Sequence, residues 1–236
     1  YLADGEGWIN ASDLSTTDNR IEDVQRVLNE KYNNQERISV YVKQLDTDRV
    51  AAINDEKSMY AASVAKLGVL YYAQERLSQK KLSLSDEYQY TSAVNGFPGA
   101  YDSDGSGKIS KMPDDKNYSL ENLLKAVAQN SDNVATNILG YYVTNQYDKA
   151  FQKSVDKAAA TSWNMDKKEL TARAAGTLME AVYRQNGDII NYLSSTDYDG
   201  ERISKNIDVP VAHKIGDAYD FKHDVAIVYA DRKSVV

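Results

Sequence analysis

Strand-forming sequence at both ends of the chain, separated by a long helix-forming stretch, restricts the fold more than any other feature. Near the start, Ile38, Val40 and Val42 alternate with Ser39, Tyr41 and Lys43, the pattern of a half-buried strand. Arg49–Ile53 reads as a second strand, reached through the polar turn Asp46-Thr47-Asp48. Near the end, Val209–Ile215 and Asp224–Ala230 are rich in β-branched and aromatic residues. Between them Ser63–Leu77, Leu120–Gln129, Val134–Val143, Tyr147–Ala159 and Thr171–Gln185 read as helices. In the last, Ala172, Ala175, Met179, Val182 and Tyr183 share one face, and Asn186-Gly187 is a C-terminal stop. An earlier helix, Asn19–Tyr32, carries Ile21, Val24, Val27 and Leu28 at helical spacing, with Asn19 and Glu22 as a capping pair. The simplest folded solution is an α+β protein in which one antiparallel sheet draws strands from both chain ends and the helical block is inserted beside it. The implied division is 19–60 plus 205–236 as the sheet subdomain and 61–204 as the helical one. Residues 1–18 stand apart as a polar, Gly-containing linker or tail.

Composition narrows the chemistry. The 236 residues are 42% hydrophobic, enough for a sizeable core. A net charge of -7 without a basic run argues against a nucleic-acid partner. With no cysteine, disulfides, thiolate chemistry and cysteine metal sites are excluded. His213 and His223 are the only histidines, too few for a histidine-rich zinc site. No stretch approaches the ~20 apolar residues of a membrane span, and no signal peptide opens the chain. Asp102-Ser103-Asp104-Gly105-Ser106 resembles part of a calcium loop, but it lacks the terminal bidentate glutamate. A polar surface loop within the long segment Thr91–Tyr118 is the better reading, with Tyr101 in reach of a substrate.

Three short motifs carry the functional signal. Ser63-Val64-Ala65-Lys66 opens an apolar helix, and residues three apart share a face, so hydroxyl and amine can meet. Serine needs a base, and lysine serves only if burial or nearby positive charge lowers its pKa. Ser131-Asp132-Asn133 links two helices, and Lys214-Ile215-Gly216 lies on a late strand. Alone, each has a plainer reading: a capping serine, a polar link, an edge-strand lysine with glycine at the exit. Together, in this order and context, they are the motif set of class A β-lactamases and penicillin-binding proteins, and the chain resembles that family from about Asn19 to Ala230. Asn130–Leu139 and Tyr60–Lys66 are the segments most similar to it.

The resemblance implies a serine hydrolase with a β-lactamase/transpeptidase-like fold, a three-layer sheet domain beside an all-helical one. Ser63 would attack the carbonyl of a β-lactam or an acyl-D-Ala-D-Ala peptide, and Lys66 would take its proton. Ser131 would protonate the leaving nitrogen, and Asn133 would bind Lys66 and the substrate amide. Lys214 would hold Ser131 and attract the substrate carboxylate, and the backbone N–H groups of Ser63 and Asp217 would form the oxyanion hole, with Gly216 beside them. Asp132 and His213 are structural in this reading, and no cofactor or metal is implied. The protein is expected to be a bacterial, secreted or cell-surface monomer, in keeping with Gly7-Trp8-Ile9-Asn10 and Asp13-Leu14, which resemble the closing strand of SH3-like wall-binding modules.

Three departures qualify the resemblance. Ile215 stands where the family has a threonine or serine hydroxyl for the substrate carboxylate. Thr161–Leu170 lacks the Glu-x-x-x-Asn element that activates the deacylating water; Glu169 reads instead as a helical charge partner of Arg173. The family adds another strand and a long final helix after the Lys-x-Gly hairpin, and this chain ends at Val236 within what could be that strand. Slow turnover of β-lactams follows, with a carboxypeptidase or transpeptidase, or a non-catalytic wall-associated sensor, as alternatives.

Overall fold

The computed structural model describes residues 19–230 and 233–235; the Trp8 segment lies outside the described residues. The chain opens with helix α1 (Arg20–Tyr32) and the hairpin β1 (Val40–Gln44) and β2 (Arg49–Ile53), followed by the short strand β3 (Met59–Tyr60). Helix α2 (Leu67–Ser78) comes next, then β4 (Glu87–Gln89) and β5 (Asn117–Ser119) flanking the long polar segment. Helices α3 (Leu120–Asn130), α4 (Asn133–Tyr142) and α5 (Lys149–Ala159) follow, then β6 (Glu169–Leu170), α6 (Ala172–Gln185) and α7 (Asp188–Leu193). The chain returns through β7 (Val211–Ala218), β8 (Phe221–Ala230) and β9 (Lys233–Val235).

The fold is α+β. One antiparallel sheet runs β2-β1-β9-β8-β7, joining strands from both ends of the chain. Its β7 edge faces the helical block, and the register Lys214↔Val225, Ile215↔Asp224, Gly216↔His223 fixes which face each residue of the late motif presents. On the outer side α1 buries Ile21 and Leu28 against Ala51 of β2. The main core lies among the helices and reaches Ala212, Val225 and Ile227 of the sheet.

Helix α2 explains the centre of that core. Leu67, Gly68, Val69, Leu70, Tyr72 and Ala73 are all buried, so the first half of the helix is enclosed on nearly every side rather than amphipathic. Gly68 permits this, because a Cβ there would lie 2.7 Å from Nε1 of the fully buried Trp163, which donates to the Ala65 carbonyl at 3.2 Å. The segment preceding β6 is thus plugged against the start of α2.

Two expected charge arrangements are corrected. Asn19 is the N-cap of α1 but makes no side-chain capping bond, and Glu22 pairs with Arg49 on β2 instead. Glu169 does not pair with Arg173: it lies in β6 opposite Tyr60, while Arg173 Nη2 reaches Asp55 at 2.6 Å. In both cases a partner distant in sequence displaces the local one.

Candidate active site

The three motifs converge where the start of α2, the α3–α4 junction and β7 meet. Ala62–Lys66 forms a 3-10 turn leading into α2, rather than the first turn of an α-helix. In 3-10 geometry residues i and i+3 eclipse, so Ser63 and Lys66 stand on one edge. Ala62 has φ of +50°, a strained conformation for a residue with a Cβ, directly before Ser63. Within 61–70 every residue but Ser63 is buried, and Ser63 is half-buried.

Lys66 is fully buried, and its Nζ donates to the Ser131 carbonyl at 2.6 Å and to Asn133 Oδ1 at 2.5 Å. A third, longer contact of 3.5 Å runs to Ser131 Oγ. A neutral amine has two N–H donors, which these two short bonds consume, leaving a lone pair for a serine proton. Burial holds the Lys66 amine well below the usual lysine range, Lys214 lowers it further, Asp132 opposes, and Lys168 and Lys111 add to the lowering.

Ser131 occupies the left-handed region (φ +54°) that ends α3, turning its side chain back between two lysines. Lys214 Nζ donates to Ser131 Oγ at 2.7 Å and to the Ile215 carbonyl at 3.1 Å. Burial lowers the Lys214 ammonium to about 7, against the attraction of Asp224. Asp132 caps α4 by accepting from Ala135 N at 2.8 Å, and its other oxygen accepts from Lys108 N at 2.6 Å and Ile109 N at 2.9 Å. It is a structural buckle rather than a reacting group.

The polar loop around Asp102–Ser106 belongs to this construction. Ser106 Oγ donates to the Ser131 carbonyl at 2.8 Å, and Asn133 Nδ2 donates to the Asp102 carbonyl at 2.7 Å. Lys111 Nζ reaches the Gly105 carbonyl at 2.5 Å. Among the described residues no group of three or more acidic or histidine side chains could hold a metal ion. Tyr101 is buried, not displayed to substrate: its ring lies 4.6 Å from Lys66 Nζ and its hydroxyl donates to the Ala62 carbonyl at 3.4 Å. The expectation of a substrate contact there is replaced by a supporting role beneath Ser63.

On β7, a Cβ at Gly216 would approach the Ala61 carbonyl to 2.6 Å, so only glycine lets this strand lie against the Ala61–Val64 turn. Asp217 pairs with Arg202 at 2.5 Å. Ile215 is 7% exposed and alternates with Lys214, placing it on the face of Asp224. His213, on that same face, is tied to Asp224 at 3.1 Å and Asp199 at 3.2 Å, and stitches the 196–199 turn to the sheet. Burial would lower the imidazole, but the bonds to Asp224 and Asp199 prevail and raise it. Motif reading misses Ser106, Lys111 and Lys168, each of which donates here to a backbone carbonyl that carries no residue signature.

The fold is shared with penicillin-interacting proteins. The structure of PBP-A superposes with a TM-score of 0.72 at 15% identity, covering 91% of this chain and 84% of that one. A β-lactamase from Sphaerobacter thermophilus gives 0.72 at 15% identity, covering 94% and 87%. Penicillin binding protein 6B from Escherichia coli gives 0.68 at 14% identity, covering 84% and 69%. No curated protein matches the sequence. The class is therefore that of the β-lactamase and penicillin-binding-protein fold. The model of the β-lactamase enzyme family matches residues 19–236, and the chain belongs to that family.

Proposed function

We propose that the protein is a serine acyl-transfer enzyme that forms an acyl-enzyme at Ser63 with β-lactams and releases it slowly. The observation that carries this reading is the chain Lys66–Ser131–Lys214, closed by Asn133, beside the one solvent-accessible residue of its segment. In this mechanism Ser63 Oγ attacks the lactam carbonyl carbon while Lys66, neutral, takes its proton. The C–N bond breaks, and Ser131 gives its proton to the leaving nitrogen. Lys214 donates to Ser131 Oγ, which leaves the Ser131 hydrogen free to be passed on. Ser131 is then reprotonated from Lys66, so the proton that left Ser63 balances the one on nitrogen. The N–H groups of Ser63 and Asp217 would hold the oxyanion, where losing one donor typically costs ~10²–10³ in rate.

Slow release follows from the loop before β6. It brings Lys168, not a carboxylate, to Tyr101, and Glu169 is exposed in β6. A point mutant of PBP-A has been captured as an acyl-enzyme with penicillin G, which supports β-lactams as the ligand class. Likeness to both β-lactamases and penicillin-binding proteins makes an acyl-D-Ala-D-Ala peptide the second substrate reading, with a wall-associated, extracellular setting.

Acylation should follow a bell-shaped pH profile. Lys66 must be unprotonated, so the rate falls toward acid. Lys214 must be charged to attract the carboxylate, so second-order acylation falls as pH rises through about 7. Stopped-flow acylation with a chromogenic cephalosporin from pH 5 to 9 checks this. A rate that climbs monotonically to pH 9 contradicts the role given to Lys214.

A further inference from the structure

Lys168 has no part in the mechanism above, yet it is built into the site. Its carbonyl accepts from Ala61 N at 2.6 Å, two residues before Ser63, and its φ of +52° marks a chain reversal before β6. Its side chain is buried at 7% exposure, and Nζ donates to the Gly99 carbonyl at 3.0 Å. The same Nζ lies 4.5 Å from the centroid of the Tyr101 ring, whose centroid is 4.6 Å from Lys66 Nζ. One aromatic ring serves two lysines.

That ring is rigidly held. Asn137 Oδ1 accepts from Tyr101 N at 2.7 Å, and Asn137 Nδ2 donates to the Tyr101 carbonyl at 2.8 Å. Burial raises the phenol well above its usual range, so Tyr101 supplies no counter-charge. The other charged groups acting on the pair are few. Asp166 attracts Lys168 from the Gly99 side, and Asp132 attracts Lys66 from the start of α4, though it already accepts three backbone N–H bonds. Lys214 on β7 and Lys111 in the polar loop add positive charge. Two ammonium groups sharing a poorly solvated ring repel, and the relief is loss of a proton from the more deeply buried one. That one is Lys66, fully enclosed and also facing Lys214.

We propose that Lys168 is a positioning residue, held at Tyr101 and Gly99 so that its charge keeps Lys66 unprotonated and ready to take the Ser63 proton. The inference rests on the acylation reading of Ser63. Lys168→Met removes the charge while keeping much of the side-chain volume. The acid limb of the acylation profile should move up by about one pH unit, roughly a tenfold loss on that limb, with the alkaline part of the profile unchanged. Lys168→Arg, which keeps the charge, should retain the parental limb. A Lys168→Met limb that overlays the parent's, with the thermal melt unchanged, overturns the proposal, as does a Lys168→Arg limb shifted like that of Lys168→Met.

Titration of the Lys66 ¹³Cε resonance decides the point without a substrate. A higher midpoint in Lys168→Met supports the coupling, and an unchanged midpoint overturns it even where penicillin fails to acylate the parent. Should the methionine variant not fold, Lys168→Gln, which keeps a donor for the Gly99 carbonyl, takes its place with the same two outcomes.

Discussion

Replacing Lys66 by methionine should slow acylation by about 10²–10⁴-fold, the usual worth of a positioned proton acceptor, while leaving the fold at least as stable. The two halves of this expectation have different origins. The loss of rate follows from removing the proposed proton acceptor, for which Lys214 is no substitute because it is committed to Ser131 Oγ and the Ile215 carbonyl. The retained stability follows from desolvation. Lys66 is fully buried, and enclosing an amine costs free energy that its hydrogen bonds only partly return. One of its two main acceptors keeps a donor, since the single hydroxyl hydrogen of Ser106 goes to the Ser131 carbonyl at 2.8 Å, while Asn133 Oδ1 retains only a 3.3 Å contact with the same oxygen. Methionine fills a similar volume without a charge, so a gain of up to about 1–2 kcal/mol is expected in denaturant unfolding. A variant that loses several kcal/mol would show that Lys66 is a structural residue first.

Asp132→Ala should have the opposite signature, a fold weakened by roughly 3–5 kcal/mol with acylation lost as a consequence. Asp132 is 1% exposed and accepts three backbone N–H bonds from two separate segments. Alanine leaves the buried Ala135 N–H and the part-buried Lys108 and Ile109 N–H groups without this acceptor, and it uncaps α4 at the residue before Asn133. Asn133 would lose its anchored approach to Lys66, so the site and the fold fail together. Urea unfolding measures the effect, and a change below about 1 kcal/mol would show that water replaces the carboxylate without cost.

The contrast between these two residues shows what the sequence could and could not convey. Strands and helices were legible because their apolar spacing is local: Arg49–Ile53 is β2 as read, and the first strand is displaced by only two residues, to Val40–Gln44. The pairing of the three motifs was legible because each has fixed chemistry at fixed spacing. Glu22 and Glu169 were misassigned because local helical pairing lost to partners supplied by the tertiary fold, Arg49 for the first and a strand opposite Tyr60 for the second. The polar loop reads as a surface segment, yet it turns the Tyr101 ring inward and is tied down by its Ser106 hydroxyl to the Ser131 carbonyl and by its Asp102 carbonyl to Asn133. Lys168 left no trace in the sequence at all. Its partners are a carbonyl 69 residues away and the face of a ring, neither of which has a motif.

These arrangements also separate the groups by what they risk. Lys66 and Lys214 are costly to bury, while Asp132, Trp163 and Gly216 hold the packing around them.

The most direct test of the central claim is intact mass of the protein with penicillin G followed over time, with Ser63→Ala alongside and peptide mapping of any adduct. The account predicts a mass gain equal to one penicillin, located on the peptide containing Ser63, persisting for many minutes and absent from Ser63→Ala. No adduct and no consumption of penicillin by the parent, or an equal adduct on the Ser63→Ala variant, would contradict it.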